Sequence, residues 1–172
     1  MVQMEEWRKI DGYPNYSVSN LGNVRNDKTG KALKCLLQKT GYHYIGLYTK
    51  GTGAQPDMMR FSRVVAKAFI PNPLNHPIVD HIDRDKTNDA ASNLRWCTLQ
   101  QNNRNKSKQH GKSSQYIGVC WISESKNWKA NIKINYKSLH LGMFENERDA
   151  AVAYNQYILA HNLEEFCVLN DV

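Results

Sequence analysis

Apolar and polar residues alternate over short stretches of positions 1–50, and polar turns separate these stretches. Alternation of this kind is typical of β-strands that bury one face of a sheet. We interpret the segment DGYPNY as a turn and the later segment DKTGKAL as a hairpin. The residues expected to form a small core here are Trp7, Tyr13, Tyr16, Val18, Leu21 and Val24.

The pattern changes at residues 61–73, where apolar residues recur at helical spacing. Two prolines near the end of this segment predict that the helix stops there, because proline cannot continue an α-helix. The residues expected to face inward are Val64, Val65, Ala68 and Phe69.

Residues 79–105 predict a strand, a long polar loop, a second strand and a helix. The first strand, within PIVDHI, ends in Asp80 and His81, and the second is NLRWCT. Thr98 and Gln101 have the spacing of a capping box, so a helix is expected to begin at Thr98 and to continue through LQQNNRNKSK.

A basic, linker-like segment at residues 104–115 contains no large apolar residue, and a new pattern begins after it. Three β-like runs are followed by a helix, in which Asn146 and Asp149 have the spacing of a capping pair. Three strands covered by one helix form a compact module, and the chain as a whole is predicted to be α+β. The inward stripe of the helix is expected to be Ala150, Ala153, Tyr154, Tyr157, Ile158 and His161.

Strand alternation predicts which residues lie on each face of this C-terminal sheet. The residues expected on the buried face are Ala130, Ile132, Ile134, Leu139 and Leu141. An open cationic sheet face can enter the major groove of DNA, where Asn pairs with adenine and Lys with guanine or phosphate. The residues expected on that open face are Lys129, Asn131, Lys133, Ser138 and His140.

The formal net charge is +7, and the whole excess lies between positions 101 and 140, which contain eight basic residues and one acidic residue. Such a local concentration suggests a polyanionic partner such as nucleic acid, although a solubilising surface is the alternative. The four cysteines are scattered and contain no C-x-x-C pair, so reduced thiols are expected. No apolar run is long enough to cross a membrane, and we expect an intracellular protein.

The residues around His81 suggest metal-dependent chemistry. Asp80 offers a hard oxygen ligand that suits Mg²⁺, and the neighbouring imidazole can accept a proton near neutral pH. Asn102 lies on the first turn of the predicted helix and can add an amide oxygen to the same ion. Asn93 can hydrogen-bond the loop that carries His81 and fix its ring. A solvated surface loop is the competing interpretation.

Two other metal sites do not fit this stretch. An EF-hand would need Gly and Glu at the positions that hold Asn88 and Leu94. A zinc site would need cysteines or a second histidine nearby.

The motifs between Arg63 and Asn105, namely RVVAKAFIPNP, VDHID, NLRW and QQNNRN, together resemble the HNH homing endonucleases encoded in phage and viral introns. The N-terminal EEWRKIDGYPNYSVSNLGNVRN resembles the nuclease-associated module that often precedes that domain. The resemblance implies a ββα-metal fold with His81 as general base and Asn93 orienting it. It also implies one divalent ion, Mg²⁺ or Mn²⁺, held by Asp80 and Asn102.

This chain departs from the family pattern at two places. Arg84 and Asp85 stand where the family usually has Gly-Asn, and Ser62 stands where a His is frequent. Neither change removes a proposed ligand. The first affects the conformation of the loop, and the second affects an auxiliary contact with phosphate.

The C-terminal region 114–169 resembles the DNA-binding domain of plant ethylene-response factors, through YIGV, NWKANIKI, HLGMF and ERDAAVAYN. The family's Arg before Gly-Val is Ile117 here. The expected domains are an N-terminal β module (1–55), the HNH domain (56–107), a basic linker (108–115) and the sheet-plus-helix domain (116–172).

Together these features predict a site-specific DNA endonuclease that acts as a monomer on double-stranded DNA and nicks one strand, in a bacterial host or infected cell. A sequence-specific DNA-binding protein with an inactive nuclease domain is the alternative. The residues expected to contact DNA are Arg63, Arg104, Lys106, Lys108, Lys112, Lys129, Asn131, Lys133 and His140.

Overall fold

The structure is a computed structural model that describes residues 4–49, 55–105, 113–134 and 137–172. Within these ranges the chain forms small antiparallel sheets and a few short helices, which confirms the predicted α+β class. It divides into two compact units, residues 1–98 and residues 99–172, and each is described by itself. The longest helix in the described ranges has 14 residues, and none of these helices could span a bilayer.

The first unit begins with a four-stranded antiparallel sheet. Its strands are β1 (Trp7–Ile10), β2 (Tyr13–Ser19), β3 (Val24–Asn26) and β4 (Ala32–Leu33), in that order. The predicted turn DGYPNY is too long, because only Asp11 and Gly12 form the turn and the other four residues lie in β2. The register between β1 and β2 shifts between Lys9 and Ile10, and this irregularity leaves Pro14 without a cross-strand partner in β1. Proline has no N–H to donate, so a bulge lets it lie within a strand.

A second sheet contains β5 (Leu36–Leu37), β6 (His43–Leu47) and β7 (Asp57–Arg60), and the predicted helix α1 (Phe61–Phe69) follows directly. Val64 and Val65 of α1 are buried as predicted, and Ala68 and Phe69 are partly buried against the same core. That core also includes Tyr16, Val18 and Val24 from the first sheet. Leu21 is 39% exposed, because it lies in the turn after β2 and not in a strand, and its predicted core position is wrong.

The first unit ends in the predicted two-stranded ribbon, formed by β8 (Ile78–His81) and β9 (Leu94–Cys97). A single 3₁₀ turn, Ala91–Asn93, leads into β9. His81 lies opposite Leu94, and Asp80 lies opposite Arg95. Val79 and Leu94 belong to the core that the two preceding sheets share, so the ribbon is anchored to them by apolar packing.

The second unit contains α2 (Leu99–Arg104), β10 (Val119–Ile122), β11 (Asn127–Ile134), β12 (Lys137–Phe144) and α3 (Glu147–Ala160). The three strands form one antiparallel sheet in chain order, as predicted. Ala150, Tyr154 and Ile158 of α3 are buried against this sheet. His161 follows the end of α3 and is exposed, with its ring stacked on Tyr157, so its predicted place in the buried stripe is wrong.

The two faces of this sheet follow the predicted alternation in β11. Ala130 and Ile132 are buried, whereas Lys133 is exposed, and Asn131 pairs across the strands with His140. Leu139 lies opposite Ile132 but is 41% exposed. Its predicted burial is therefore wrong.

Candidate active site

Two polar side chains at the end of β8 are almost completely buried. Asp80 is 7% exposed and His81 is 5% exposed. Side chains that carry charge are rarely buried unless they are paired, because removing them from water is costly. This burial does not fit a solvated loop at Asp80 and His81, and their partners define what the site can do.

Arg95 is the cross-strand partner of Asp80. Its Nε and Nη2 both donate to Asp80 Oδ2, at 3.0 and 2.9 Å. Both side chains are largely buried, with 12% and 8% of their surface exposed. The guanidinium therefore orients the carboxylate and balances its charge at the point where a hard oxygen ligand was predicted.

His81 is held by a second carboxylate, which the sequence interpretation did not identify. Asp89 Oδ1 lies 3.1 Å from His81 Nε2, and Asp89 Oδ2 lies 2.8 Å from His43 Nδ1. An ionised carboxylate only accepts hydrogen bonds, so the nitrogen of His81 that faces it carries the hydrogen. A neutral ring in this tautomer has its proton-accepting lone pair on Nδ1.

Asn93 holds the loop that follows His81. Its Oδ1 accepts from the backbone N–H of Asp83 at 3.0 Å, and its Nδ2 donates to Asp83 Oδ1 at 2.9 Å and to the carbonyl of Asn88 at 2.8 Å. Its own carbonyl accepts from the N–H of Ile82 at 2.8 Å. These bonds fit the predicted contribution of Asn93 to the loop, although its role in catalysis stays a prediction.

The carboxylate of Asp83 is stabilised in its charged form. Partial burial raises the pKa of Asp83, but hydrogen bonds from Asn88, Asn93 and the backbone of Asp85 outweigh it and hold the pKa below its usual range. The charged carboxylate of Asp83 thus holds the loop after His81 together through hydrogen bonds from amide groups.

Both departures from the family pattern have structural consequences. Arg84 has a φ of +69°, in the left-handed region that disfavours residues with a Cβ atom. A glycine would adopt this conformation without strain. Ser62 is buried in α1, and its hydroxyl has no hydrogen-bond partner among the residues that the structure describes.

A cationic and aromatic cluster lies beside His81. The Tyr42 ring centroid is 6.0 Å from that of His81. The Arg60 guanidinium lies 4.0 Å from the Tyr42 ring centroid, and Lys86 Nζ lies 4.7 Å from it. Both cations are exposed, so they can meet a phosphate backbone while the aromatic ring fixes their position.

The other predicted site residues lie in several places. Arg63 is exposed on α1, with its guanidinium 5.7 Å from the Trp96 ring centroid. Asn102 and Arg104 lie on α2 in the second unit, and Nε of Arg104 is buried. The proposed contacts at Lys106, Lys108 and Lys112, and most of the basic linker, lie outside the described residues. Four of the predicted DNA contacts lie on the sheet of the second unit, namely Lys129, Asn131, Lys133 and His140.

Asp80 offers one carboxylate at the end of β8 to a hard cation. The described residues contain no cluster of three or more His, Cys, Asp or Glu side chains placed to hold a metal ion. One carboxylate, Asp80, combined with a neutral amide oxygen is a ligand set for a Mg²⁺-like ion that keeps several water ligands. Asp80 and Asn102 fit that composition, and their role as ligands stays a prediction.

Comparison with protein families matches two stretches of the chain. Residues 5–48 match the NUMOD4 motif, and residues 60–104 match the HNH endonuclease family. Two parts of the chain are thus similar to the NUMOD4 motif and to HNH endonuclease domains. The second match contains Asp80, His81, Asn93 and Asn102.

Several relatives are phage or viral endonucleases. The chain is 43% identical over 94 residues to DNA endonuclease I-HmuI of Bacillus phage SP01, covering 54% of this chain and 52% of that protein. It is 40% identical over 116 residues to the uncharacterised HNH endonuclease L560 of Acanthamoeba polyphaga mimivirus, covering 66% and 58%. The chain thus spans little more than half the length of these relatives.

A solved structure supports the same assignment. The structure titled "DNA binding and cleavage by the HNH homing endonuclease I-HmuI" aligns with a TM-score of 0.53 at 40% identity. The alignment covers 58% of this chain and 56% of that one. The likeness to an HNH endonuclease thus extends from sequence to three-dimensional fold.

Three residues of the site were absent from the sequence interpretation. Arg95 lies within the NLRW motif, and its contact with Asp80 follows once the strand register is known. Asp89 lies eight residues after His81, and His43 lies 46 residues before Asp89. No periodicity links positions so far apart, so only the folded chain reveals their contact.

Proposed function

We propose that this protein is a site-specific DNA endonuclease that hydrolyses a phosphodiester bond and nicks one strand. The observation that carries the proposal is that Asp80 stands next to a buried, oriented His81 at the end of the first strand of the ribbon. Hydrolysis needs a base for the attacking water and a cation near the phosphate, and these two side chains supply the base and a ligand for the cation.

His81 acts as general base through Nδ1. The contact with Asp89 keeps the hydrogen on Nε2, so Nδ1 of the neutral ring takes the proton from the attacking water. Asn93 keeps the following loop in place and so supports the position of the His81 ring.

In this proposal Asp80 and Asn102 would hold one divalent ion, Mg²⁺ or Mn²⁺. When bound, such an ion offsets negative charge on the phosphate and on the leaving 3′ oxygen. Arg95 fixes the Asp80 carboxylate so that it is oriented before the ion arrives. The expected products carry 5′-phosphate and 3′-hydroxyl ends.

The second unit supplies sequence recognition through its sheet. Asn131 and His140 are cross-strand neighbours, and Lys129 and Lys133 flank Asn131 on β11. Their shared face is polar and cationic, as expected for a sheet that enters a DNA groove. The resemblance to ethylene-response factors supports the same role. The basic segment and Arg63 would add contacts to phosphates.

The single HNH-like segment of this chain supports a monomer that cuts one strand. It would act inside the cell that contains its target DNA.

A DNA-binding protein with an inactive nuclease domain is the alternative. The two are distinguished by incubating the protein with supercoiled plasmid, with and without Mg²⁺ or Mn²⁺.

We expect conversion of plasmid to the open circle only with metal, and none with His81→Ala, which should still bind DNA. Cleavage by His81→Ala at the wild-type rate would overturn the assignment of the base. Binding without metal-dependent cleavage by the wild-type protein would establish the alternative.

A further inference from the structure

A continuous chain of hydrogen bonds links the NUMOD4 segment to the proposed base. His43 begins β6, within the NUMOD4 match, whereas Asp89 and His81 both belong to the HNH match. Asp89 bridges them, with 2.8 Å to His43 Nδ1 and 3.1 Å to His81 Nε2. Both oxygens of this carboxylate are thus directed at imidazole rings.

The backbone around Asp89 is fixed by the turn that follows β2. The carbonyl of Asn20 accepts from the N–H of Ala91 at 2.8 Å. A Cβ atom added to Gly22 would lie 3.2 Å from the carbonyl carbon of Asp89, so the two segments approach more closely there than most side chains allow. Gly22 also has a φ of +81°, which favours glycine. The position of Asp89 is therefore set by the first sheet as well as by its own loop.

Asp89 is 5% exposed, and its side chain has 4% of its surface exposed. Burying a carboxylate costs free energy that only hydrogen bonds or opposite charge can offset. The hydrogen bond that this carboxylate accepts from His81 fixes the rotation of the ring and selects which nitrogen carries the hydrogen. Its two partners are both rings, one of them the proposed base, which favours a role in orienting His81.

We propose that Asp89 and His43 are positioning residues for His81, with His43 holding Asp89 and Asp89 holding the base. The inference rests on the proposed function, because it concerns the same cleavage step. The NUMOD4 segment then contributes to catalysis by positioning the base, in addition to any contact it makes with DNA.

Two matched substitutions separate positioning from simple structural support. Asp89→Ala removes the acceptor for the hydrogen on Nε2 of His81. Asp89→Asn keeps an oxygen that accepts it and offers an amide N–H to His43. His43→Ala and His43→Asn form a second pair, because the Asn amide nitrogen can stand in for Nδ1 of the ring.

The measurement is single-turnover nicking of supercoiled plasmid in Mn²⁺ at rising enzyme concentration. It gives the maximal rate constant separately from the half-saturating concentration. We expect Asp89→Ala to lower the maximal rate about 100-fold, as misplacing a catalytic group does. The half-saturating concentration should stay within about twofold, and Asp89→Asn should recover most of the rate. His43→Ala should show a smaller loss, which His43→Asn restores.

Nitrogen-15 NMR of the His81 ring provides the readout that structural support alone would not change. The wild-type neutral ring should show hydrogen on Nε2, and Asp89→Ala should lose this preference. Asp27→Asn, in the β3–β4 hairpin, is the control, because Asp27 is also a hydrogen-bonded carboxylate but does not contact His81. It should leave the rate and the ring tautomer unchanged.

The outcomes separate the two proposals. DNA binding without metal-dependent cleavage by the wild-type protein would overturn the proposed function, and cleavage by His81→Ala at the wild-type rate would overturn the assignment of the base. Loss of cleavage in His81→Ala with a wild-type rate in Asp89→Ala would overturn the positioning role alone. An unchanged tautomer in Asp89→Ala would also overturn it. If Asp89→Ala does not fold, the His43 pair decides, since equal rates for His43→Ala and His43→Asn contradict the inference.

Discussion

Arg95 directs two N–H groups of its guanidinium at a single oxygen, Oδ2, of Asp80 on the neighbouring strand. The two residues are paired in the register of the ribbon, so the backbone places the ion pair before any ligand binds. Breaking a buried pair leaves one charge without compensation.

Replacing Arg95 with Met should therefore destabilise the protein by about 3 kcal/mol, the usual cost of removing one partner of a buried ion pair. Urea unfolding gives the free energy of unfolding. Lys31→Met is the control, since Lys31 is exposed, and it should change that free energy little. Equal stabilities for the two variants would show that the Arg95 contact contributes nothing.

Arg84 is expected to be a suboptimal residue for its backbone conformation. Arg84→Gly should stabilise the protein by about 1 kcal/mol, because glycine adopts a positive φ without a steric penalty. Arg84→Ala keeps a Cβ atom and should give no such gain. Thermal unfolding of both variants checks this, and a stabilising Ala variant would point to the charge of Arg84 as the cause.

Arg60 and Lys86 should contribute electrostatic affinity for DNA. Each lies over the Tyr42 ring next to His81. Arg60→Gln and Lys86→Gln should each weaken binding and lower the slope of log affinity against log salt concentration by about 1. Fluorescence anisotropy with a labelled duplex at several salt concentrations measures the slope. An unchanged slope in both variants would place the DNA elsewhere.

Asp27 should make stability depend on pH in the acidic range. Burial raises the pKa of Asp27, but hydrogen bonds from Lys9, Ser17 and Arg25 outweigh it and lower the pKa from 3.8 to about 2. The folded state therefore favours the charged form, and its contribution is present above pH 3.8 and lost as pH falls toward 2. As pH decreases through this range, the free energy of unfolding should fall more steeply for the wild type than for Asp27→Asn. An equal pH dependence of the two proteins would contradict the lowered pKa of Asp27.

Much of the fold is readable from local patterns. The alternation in WKANIKI correctly predicts the buried Ala130 and Ile132, and the period of α1 predicts the buried Val64 and Val65. These predictions succeed because a strand or helix repeats its environment at a fixed interval. The turn predicted around Pro14 is wrong because the pairing with β1 is irregular there, and the strand continues through a sequence that is typical of turns.

The candidate site is only partly predictable. Asp80 and His81 are adjacent in sequence and end a predicted strand, so their joint position follows from the chain alone. Asp89 and His43 meet through tertiary packing across the first unit. Asn93 is expected from its place at the start of the predicted second strand, but its bonds to Asp83 depend on how the long loop folds back.

The close approach of Gly22 to Asp89 also concerns how such proteins can be recombined. A chimera that joins a foreign N-terminal segment to the rest of this chain would have to reproduce both the glycine turn and the histidine that contacts Asp89. Without them, the Asp89 carboxylate would be buried without its partners. A shortened protein that starts after β6 would face the same defect and would expose the apolar face of α1 as well. Two motifs that can be distinguished in sequence therefore have to be inherited together.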